Sequence, residues 1–244
     1  MKLTIKCSLF LVAIFSFLTS CNAIENPPGM THPARLELLK KKGFNPQVIY
    51  DIGAFRGMWS LEMQPVFPKA NFFLFEANDN NESYLKRLSF PFFIAALGDR
   101  EDKATFYSNN STGDSLLKEQ TQYYCEGRCV AKQVQMTTLE KIVLDNKLPL
   151  PDLIKMDVQG AEKLIIKGSP DIVKHAEVII LETKILEYNK DAPLIYEIIT
   201  LMNTLGYRMI DILELHYLRS QELNEVDILF IKENSPLIKK GLLS

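Results

Sequence analysis

Short, almost entirely apolar stretches recur along the chain and limit what it can fold into. Each has the length of a β-strand, and stretches with helical periodicity lie between or after them. The strand-like stretches read QVIYDI, NFFLFE, FFIAAL, DLIKMD and AEVIILE. A strand that is apolar on both faces is buried on both faces, which is typical of a parallel sheet covered by helices. The pattern predicts an α/β fold with a mostly parallel sheet and helices on both faces.

The C-terminal part of the chain predicts how this sheet ends. The stretch 191–206 has an apolar stripe at helical spacing, with Asp191 as the expected N-cap and Gly206 just past the end. The strand-like stretches YRMIDIL and VDILFIK follow it with no helix between them. Because parallel neighbours need a crossover connection, these two strands are expected to pair antiparallel at one edge of the sheet.

The N-terminal residues differ in composition from the rest of the chain. Lys2 and Lys6 flank the start of an uncharged apolar run, CSLFLVAIFSFL. This run is shorter than the ~20 residues that span a bilayer, and it fits the apolar part of a signal peptide or a membrane anchor. It ends in Leu18–Cys21, which resembles the lipobox of bacterial lipoproteins. The competing interpretation is that the true start is Met30 and that the sequence begins too far upstream of it.

The stretch ENPPGMTHP contains three prolines and a glycine and therefore predicts a linker. The expected organisation is a signal peptide or membrane-anchoring leader over 1–21, a linker over 22–33 and a single domain over 34–244. The leader predicts export or membrane attachment. Nothing in the sequence indicates an oligomeric state.

Charge and cysteine usage narrow the functional classes. The net charge of −2 shows no basic excess, so a nucleic-acid-binding surface is not expected. Cys125 and Cys129 fit either a local disulfide in an exported protein or plain thiols. A metal site would need two more ligands, and His32, His175 and His216 show no matching spacing, so no metal is expected.

An acid and two glycines follow the first strand, at the sheet edge where doubly wound folds bind ligands. They are Asp51, Gly53 and Gly57. Dinucleotide sites use three glycines in a G-x-G-x-x-G pattern, which is missing here, and Asp51 would repel a pyrophosphate. A cationic ligand such as S-adenosylmethionine would be attracted, and the glycines would let the backbone approach it closely. The alternative for Asp51 is a structural role as a helix N-cap.

The next two strands end in further candidate cofactor contacts. Glu76 ends the second strand, where a carboxylate can bind ribose hydroxyls, and Asn78 follows it. Ala96 and Leu97 end the third strand and are placed to contact an adenine ring. A solvated strand-end acid and ordinary core packing are the alternatives for these residues.

Several of these stretches together carry a family resemblance. VIYDIGAFRG, FFLFEAN, AALGD, TTLEKI and above all LIKMDVQGAEKLIIKGS are similar to the FkbM-type family of S-adenosylmethionine-dependent methyltransferases. The resemblance implies a Rossmann-like methyltransferase fold with a seven-stranded sheet and an antiparallel last strand. It also implies cofactor roles for Asp51, Gly53 and Glu76 and an active-site role for Asp157. Many relatives have Glu where this chain has Gln159.

Methyl transfer to a hydroxyl requires alignment of the acceptor oxygen and removal of its proton. Asp157 closes a strand beside the expected cofactor site and is the candidate for orienting or deprotonating the acceptor. Glu182 ends the neighbouring strand and is expected in the same cleft. Capping is the alternative role for Asp157, and Glu162 is expected to serve the first turn of its helix.

The resulting hypothesis is an S-adenosylmethionine-dependent O-methyltransferase. Its acceptor would be a hydroxyl on a sugar, a glycan or a small natural product. S-adenosylmethionine is made in the cytosol, however, and an exported enzyme would lack an obvious supply. A lipid-anchored or exported binding protein that has lost catalysis is therefore the alternative.

Overall fold

The computed structural model describes residues 26–120 and 129–239. The strands in chain order are β1 (Val48–Ile52), β2 (Asn71–Glu76), β3 (Phe92–Ile94), β4 (Ala96–Leu97), β5 (Asp102–Ser108), β6 (Val130–Thr137), β7 (Leu153–Met156), β8 (Val178–Lys184), β9 (Tyr207–Tyr217) and β10 (Leu223–Lys232). The helices are α1 (His32–Lys41), α2 (Met58–Met63), α3 (Glu82–Leu85), α4 (Leu139–Asp145), α5 (Glu162–Gly168), α6 (Pro170–His175), α7 (Ile195–Thr204) and α8 (Pro236–Lys239).

Seven of the described strands form the central sheet, in the order β3-β2-β1-β7-β8-β10-β9. Strands β3, β2, β1, β7 and β8 run parallel, whereas β10 pairs antiparallel with both β8 and β9. The expected seven-stranded, mostly parallel sheet with an antiparallel last strand is therefore confirmed. Strands β4, β6 and β5 form a smaller separate sheet that the sequence pattern did not predict. Most residues of β6 are exposed or half-buried, so it lacks the apolar pattern of the central strands.

Successive side chains of the central strands alternate between two hydrophobic clusters. In β1, Tyr50 and Ile52 belong to one cluster, and Ile49 belongs to the other. Strand alternation therefore directs Asp51 toward the Ile49 side, which is also the side of Leu153 in β7. Strand alternation therefore determines which polar side chains at the strand ends lie on the same face and can contact one another.

One helix boundary differs from the expectation. The apolar stripe placed the N-cap at Asp191, but α7 begins at Ile195, and Asp191 has a left-handed backbone with φ of 63°. The carboxylate of Glu197 accepts a hydrogen bond from Leu194 N at 3.1 Å and so satisfies one free N–H at the helix start. The prediction of Asp191 as the N-cap was wrong, because the helix begins at Ile195 and Glu197 in its first turn supplies the capping hydrogen bond.

Several predictions concern residues outside those that the structure describes. The leader 1–21 with its lipobox, residues 22–25 of the linker, and Cys125 all lie there. Cys129 is described and is disulfide-bonded. Helix α1 begins at His32, near the predicted start of the domain. Within 26–120 and 129–239, every helix is too short or too polar to cross a bilayer.

Truncation of a central core residue should test the sheet directly. Ile154 of β7 is fully buried, so Ile154→Ala should lower the free energy of unfolding by about 2–5 kcal/mol. The matched control is Leu144→Ala on α4, because that side chain is 66% exposed, and it should change stability by less than about 0.5 kcal/mol. Urea unfolding monitored by circular dichroism measures both. Equal losses would contradict the described core.

Candidate active site

The glycine after β1 lets two strand ends come into contact. Gly53 has φ of +76°, and a Cβ built there would lie 1.8 Å from the backbone oxygen of Asp157. The Gly53 and Ala54 amides both donate to the Phe75 carbonyl, at 2.9 and 3.0 Å. Any side chain at position 53 would therefore push the end of β1 away from the end of β7.

The carboxylate of Glu76 is held at the end of β2 by three hydrogen bonds. It accepts from the backbone amides of Phe55 at 2.6 Å and Asn78 at 2.7 Å, and from Asn81 Nδ2 at 3.3 Å. Burial raises the pKa of Glu76 to about 7, even though these hydrogen bonds oppose the increase. The group is thus fixed in place and changes charge near neutral pH.

A cavity opens at the carboxyl ends of β1 and β2, beside the Gly53 turn. Its apolar wall includes Ile52, Phe75, Ala96, Leu97 and Phe106. Such a wall suits a flat aromatic group, while the polar groups at the rim determine its orientation.

The charged groups of this cavity all have the same sign. Glu76, Asp114 and Asp157 line it, and no Lys, Arg or His side chain from the described part of the chain does so. A ligand that carries positive charge is therefore favoured there, and a pyrophosphate is disfavoured. The lining fits the cationic cofactor expected from the sequence.

The predicted cofactor and catalytic residues divide into two groups by position. Those on the cavity wall are Gly53, Glu76, Ala96, Leu97 and Asp157. Those that do not line it are Asp51, Gly57, Asn78 and Glu182. In the second group, Asp51, Asn78 and Glu182 form hydrogen bonds or ion pairs behind the cavity wall, and Gly57 allows close packing against Leu88.

Asp51 holds a buried lysine rather than facing the cavity. Its side chain is fully buried, accepts from Ser60 Oγ at 2.7 Å and lies 3.3 Å from Lys155 Nζ. Lys155 Nζ also donates to the Gly53 carbonyl at 3.2 Å and lies 3.5 Å from Asp157. Burial lowers the pKa of Lys155, but the carboxylates of Asp51 and Asp157 more than offset this, so it stays charged.

Gly57 is the N-cap residue just before helix α2, and its backbone is left-handed. It has φ of 76°, and a Cβ there would lie 2.3 Å from Leu88 Cδ1, so its role is to allow close packing. Asn78 instead supports the segment 109–116 that forms one cavity wall. Its Nδ2 donates to Asp114 at 2.6 Å and to Ser108 Oγ at 3.0 Å.

A glutamine links the two predicted catalytic acids. Gln159 Nε2 donates to Asp157 at 3.1 Å and to Glu182 at 2.6 Å, while Gln159 Oε1 accepts from Lys184 Nζ at 2.8 Å. Lys184 is almost completely buried and also forms an ion pair with Glu225 at 2.9 Å. Glu182 therefore lies beside Asp157, with Gln159 bound to both, and does not line the cavity itself.

The two acids differ in exposure, although the pKa of each carboxyl group is raised. Burial raises the pKa of Asp157 to about 7, with the charge of Glu182 adding to the increase and Lys155 opposing it. Burial also raises the pKa of Glu182. The Asp157 side chain is 37% exposed and that of Glu182 is 5% exposed. Asp157 alone of this pair can meet a ligand directly.

Glu162 serves the turn before its helix, close to its expected role. Its carboxylate accepts from the backbone amide of Val158 at 3.0 Å and from that of Gly160 at 3.4 Å. This holds the turn that carries Gln159, which has φ of 55°.

The structure contains another polar cluster, which the sequence did not predict. Asp227 of β10 accepts from His32 at 2.8 Å and from His216 at 3.2 Å, next to Glu182 in the strand register. The available signal was a lone acid within the apolar stretch VDILFIK, where a buried charge needs a partner. The sequence could not show that the partners are histidines from α1 and β9.

A family model described as the methyltransferase FkbM domain matches residues 51–209, which is more than half of the chain. The chain belongs to this family. It is an S-adenosylmethionine-dependent methyltransferase, and the resemblance found in the sequence is confirmed. No curated protein matches the chain in sequence.

One solved structure, with a TM-score of 0.50, agrees with this chain in fold. The plantazolicin methyltransferase BamL, in complex with a triazolic desmethylPZN analog and SAH, is 10% identical with a TM-score of 0.50, over 84% of this chain and 85% of that chain. Precorrin-6y C5,15-methyltransferase from Geobacter metallireducens GS-15 is 16% identical with a TM-score of 0.45, over 86% and 94%. The 1,6-didemethyltoxoflavin-N1-methyltransferase from Burkholderia thailandensis is 10% identical with a TM-score of 0.45, over 85% and 79%.

A side chain at position 53 should disrupt the site more than the same change elsewhere. Gly53→Ala should prevent binding of S-adenosylhomocysteine, because its Cβ collides with the Asp157 backbone. Gly206→Ala is the matched control, since Gly206 also has positive φ, at +83°, but nothing lies within 4 Å of its Cβ. The control should cost about 1–2 kcal/mol of stability and leave binding intact. Calorimetry and thermal unfolding measure both, and normal binding by Gly53→Ala would refute the assignment.

Proposed function

We propose that this methyltransferase acts on a hydroxyl group of a small polar molecule, such as a sugar or a natural product. The observation that carries the proposal is the position of Asp157, a half-buried carboxylate on the cavity wall whose pKa is about 7. A general base is most effective when its pKa is near the working pH, and a hydroxyl acceptor must lose a proton.

The cofactor would be held by the groups around the first cavity. Glu76 is placed to accept hydrogen bonds from ribose hydroxyls, and Ala96 and Leu97 to contact the adenine ring. The carboxylates of Asp114 and Asp157 would attract the positive charges of the cofactor. Asp51 contributes indirectly, since it fixes Lys155, which in turn fixes the Gly53 carbonyl.

S-adenosylmethionine supplies an electrophilic methyl group when bound. Transfer of this methyl group to the acceptor oxygen would leave S-adenosylhomocysteine, held by the groups around Glu76, Ala96 and Leu97. The hydroxyl proton passes to Asp157, which Gln159 and Lys155 hold from either side. The protein contributes by aligning the acceptor and by removing this proton.

The contact between Glu76 and the cofactor can be tested by binding. Glu76→Gln should weaken the affinity for S-adenosylhomocysteine by about 10–100-fold, because a charged acceptor for two hydroxyls is lost. In the unchanged protein, affinity should fall below pH 7, where Glu76 becomes protonated, by up to about tenfold for each pH unit. Glu82→Gln, at an exposed acid of α3 paired with Lys86, is the matched control in calorimetry. Equal affinities of the two variants would contradict the role of Glu76.

The role of Asp157 can be tested by product analysis. The full chain is incubated with S-adenosylmethionine carrying a carbon-13 methyl group and a small-molecule extract of the source cells. Labelled methyl ethers should appear in carbon NMR and mass spectra, and Asp157→Asn should reduce their rate of formation by about 100–10,000-fold. The rate should also fall below pH 7, where Asp157 gains a proton and can no longer accept one.

Other products would overturn the proposal. Label found only on nitrogen, carbon or sulfur would exclude hydroxyl methylation. An Asp157→Asn variant that binds S-adenosylhomocysteine normally and retains full activity would exclude Asp157 as the base.

A further inference from the structure

A second cavity lies directly beside the first. It is open, has a volume of about 320 Å³, and shares Ser111 and Thr112 with the first cavity. Gln159, which contacts Asp157 of the first cavity, also lines it. The second cavity is therefore connected to the proposed site of methyl transfer by shared walls.

The lining of the second cavity is mostly polar. It includes Ser111, Thr112, Gln159, Tyr188, His216 and Glu225. Hydroxyl, amide, imidazole and carboxylate groups thus surround a space large enough for one small ring. An apolar ligand would leave these groups without hydrogen bonds, which is unfavourable.

Asn224 contributes a buried acceptor without a partner. The residue is 5% exposed, and its Nδ2 donates to Glu225 at 2.6 Å. Its Oδ1 accepts no hydrogen bond from any described residue. This oxygen is closed off from solvent, so Asn224 supports the cavity lining and is not placed to bind a ligand directly.

The imidazole of His216 lines the cavity and is held in its orientation by Asp227. Its Nε2 hydrogen-bonds to Asp227 at 3.2 Å, and in the described part of the chain nothing hydrogen-bonds to its Nδ1. The imidazole is 39% exposed and lines the cavity. A buried carboxylate on one nitrogen leaves the other free to contact a ligand.

Asp227 is fixed in turn by a second histidine. Trp59 Nε1, which can only donate, donates a hydrogen bond to His32 Nδ1 at 3.0 Å. His32 Nδ1 is therefore the acceptor nitrogen, and its Nε2 carries a hydrogen and donates to Asp227. His32, Glu214 and Asp227 are close enough together to suggest a metal site. However, a protonated Nε2 has no lone pair for a metal, so this cluster serves to orient His216.

The charge of His216 follows from its surroundings. Burial lowers its pKa, but the hydrogen bond and charge of Asp227 more than offset this and raise it to about 9, with Glu182 and Glu214 adding to the increase. Glu225 lies opposite His216 in the strand register and is paired with Lys184, and His32 shares the same Asp227 oxygen. At neutral pH the free Nδ1 therefore carries a proton and donates.

We propose that the second cavity binds the methyl acceptor, a small molecule with neighbouring hydroxyl groups. His216 donates to the oxygen of one hydroxyl, while the neighbouring hydroxyl reaches Asp157. His216 is thus a binding residue, and Asp227, His32 and Trp59 position it. The inference rests on the proposed hydroxyl methylation and adds where and how its acceptor is held.

Ligand-detected NMR can test the proposal without knowledge of the natural acceptor. The probes are a set of methyl glycosides and cyclitols, measured by saturation transfer to the full chain with S-adenosylhomocysteine bound. At least one probe should bind, and its affinity should fall by about tenfold or more in His216→Leu. His216→Gln keeps a neutral donor and should retain part of the binding. His175→Gln changes an exposed histidine before β8, at the opposite end of the sheet, and should have no effect.

A pH series adds a readout that a purely structural role would not change. Probe affinity should decline above about pH 9, as His216 Nδ1 loses its proton, and this decline should be absent in His216→Gln. Calorimetry with S-adenosylhomocysteine on every variant shows that each is folded and that the first cavity is intact.

The outcomes separate the two proposals. No binding by any probe, or equal binding by all variants, overturns the inference and leaves the methyltransferase assignment unaffected. Probes that bind as expected while the labelled products of the cell extract carry no methyl ether support the second cavity but overturn hydroxyl methylation.

Discussion

A buried lysine between two carboxylates holds the catalytic end of this sheet together. Lys155 connects Asp51 of β1 to Asp157 after β7 and also binds the Gly53 carbonyl between them. Removing one member of such a buried ion pair typically costs about 3–5 kcal/mol, because the remaining charge is left without a partner. The cavity wall, the glycine turn and the proposed base therefore share one electrostatic support.

The same face of the sheet carries a band of charged side chains at the strand ends. Strand alternation places Asp51, Lys155, Asp157, Glu182 and Asp227 on this side, and the register sets Asp51 beside Lys155 and Glu182 beside Asp227. Acids outnumber bases in this group, and the excess faces the first cavity through Asp157. A cationic cofactor would offset the repulsion among these carboxylates, so the donor is favoured by the band as a whole.

The sequence predicts the fold better than the site because the two depend on different information. Apolar runs and helical periodicity predicted the parallel sheet, since a strand buried on both faces is apolar along its own sequence. The same alternation could have shown that Asp51 lies on the opposite face of its strand from Ile52, which lines the cavity. By contrast, the link from Gln159 to Glu182 and Lys184 depends on which strands are neighbours. The pairing of Asp227 with His32 and His216 joins residues from α1, β9 and β10, and no local pattern brings these elements together.

One loop contributes walls to both cavities, and this has an energetic consequence. Asn78 and Ser108 hold Asp114, which in turn accepts from the backbone amides of the segment that carries Ser111 and Thr112. A ligand that orders this segment from one side lowers the entropy cost of ordering it from the other. Donor and acceptor would then bind cooperatively, and by thermodynamic reciprocity each would increase the affinity for the other by the same factor.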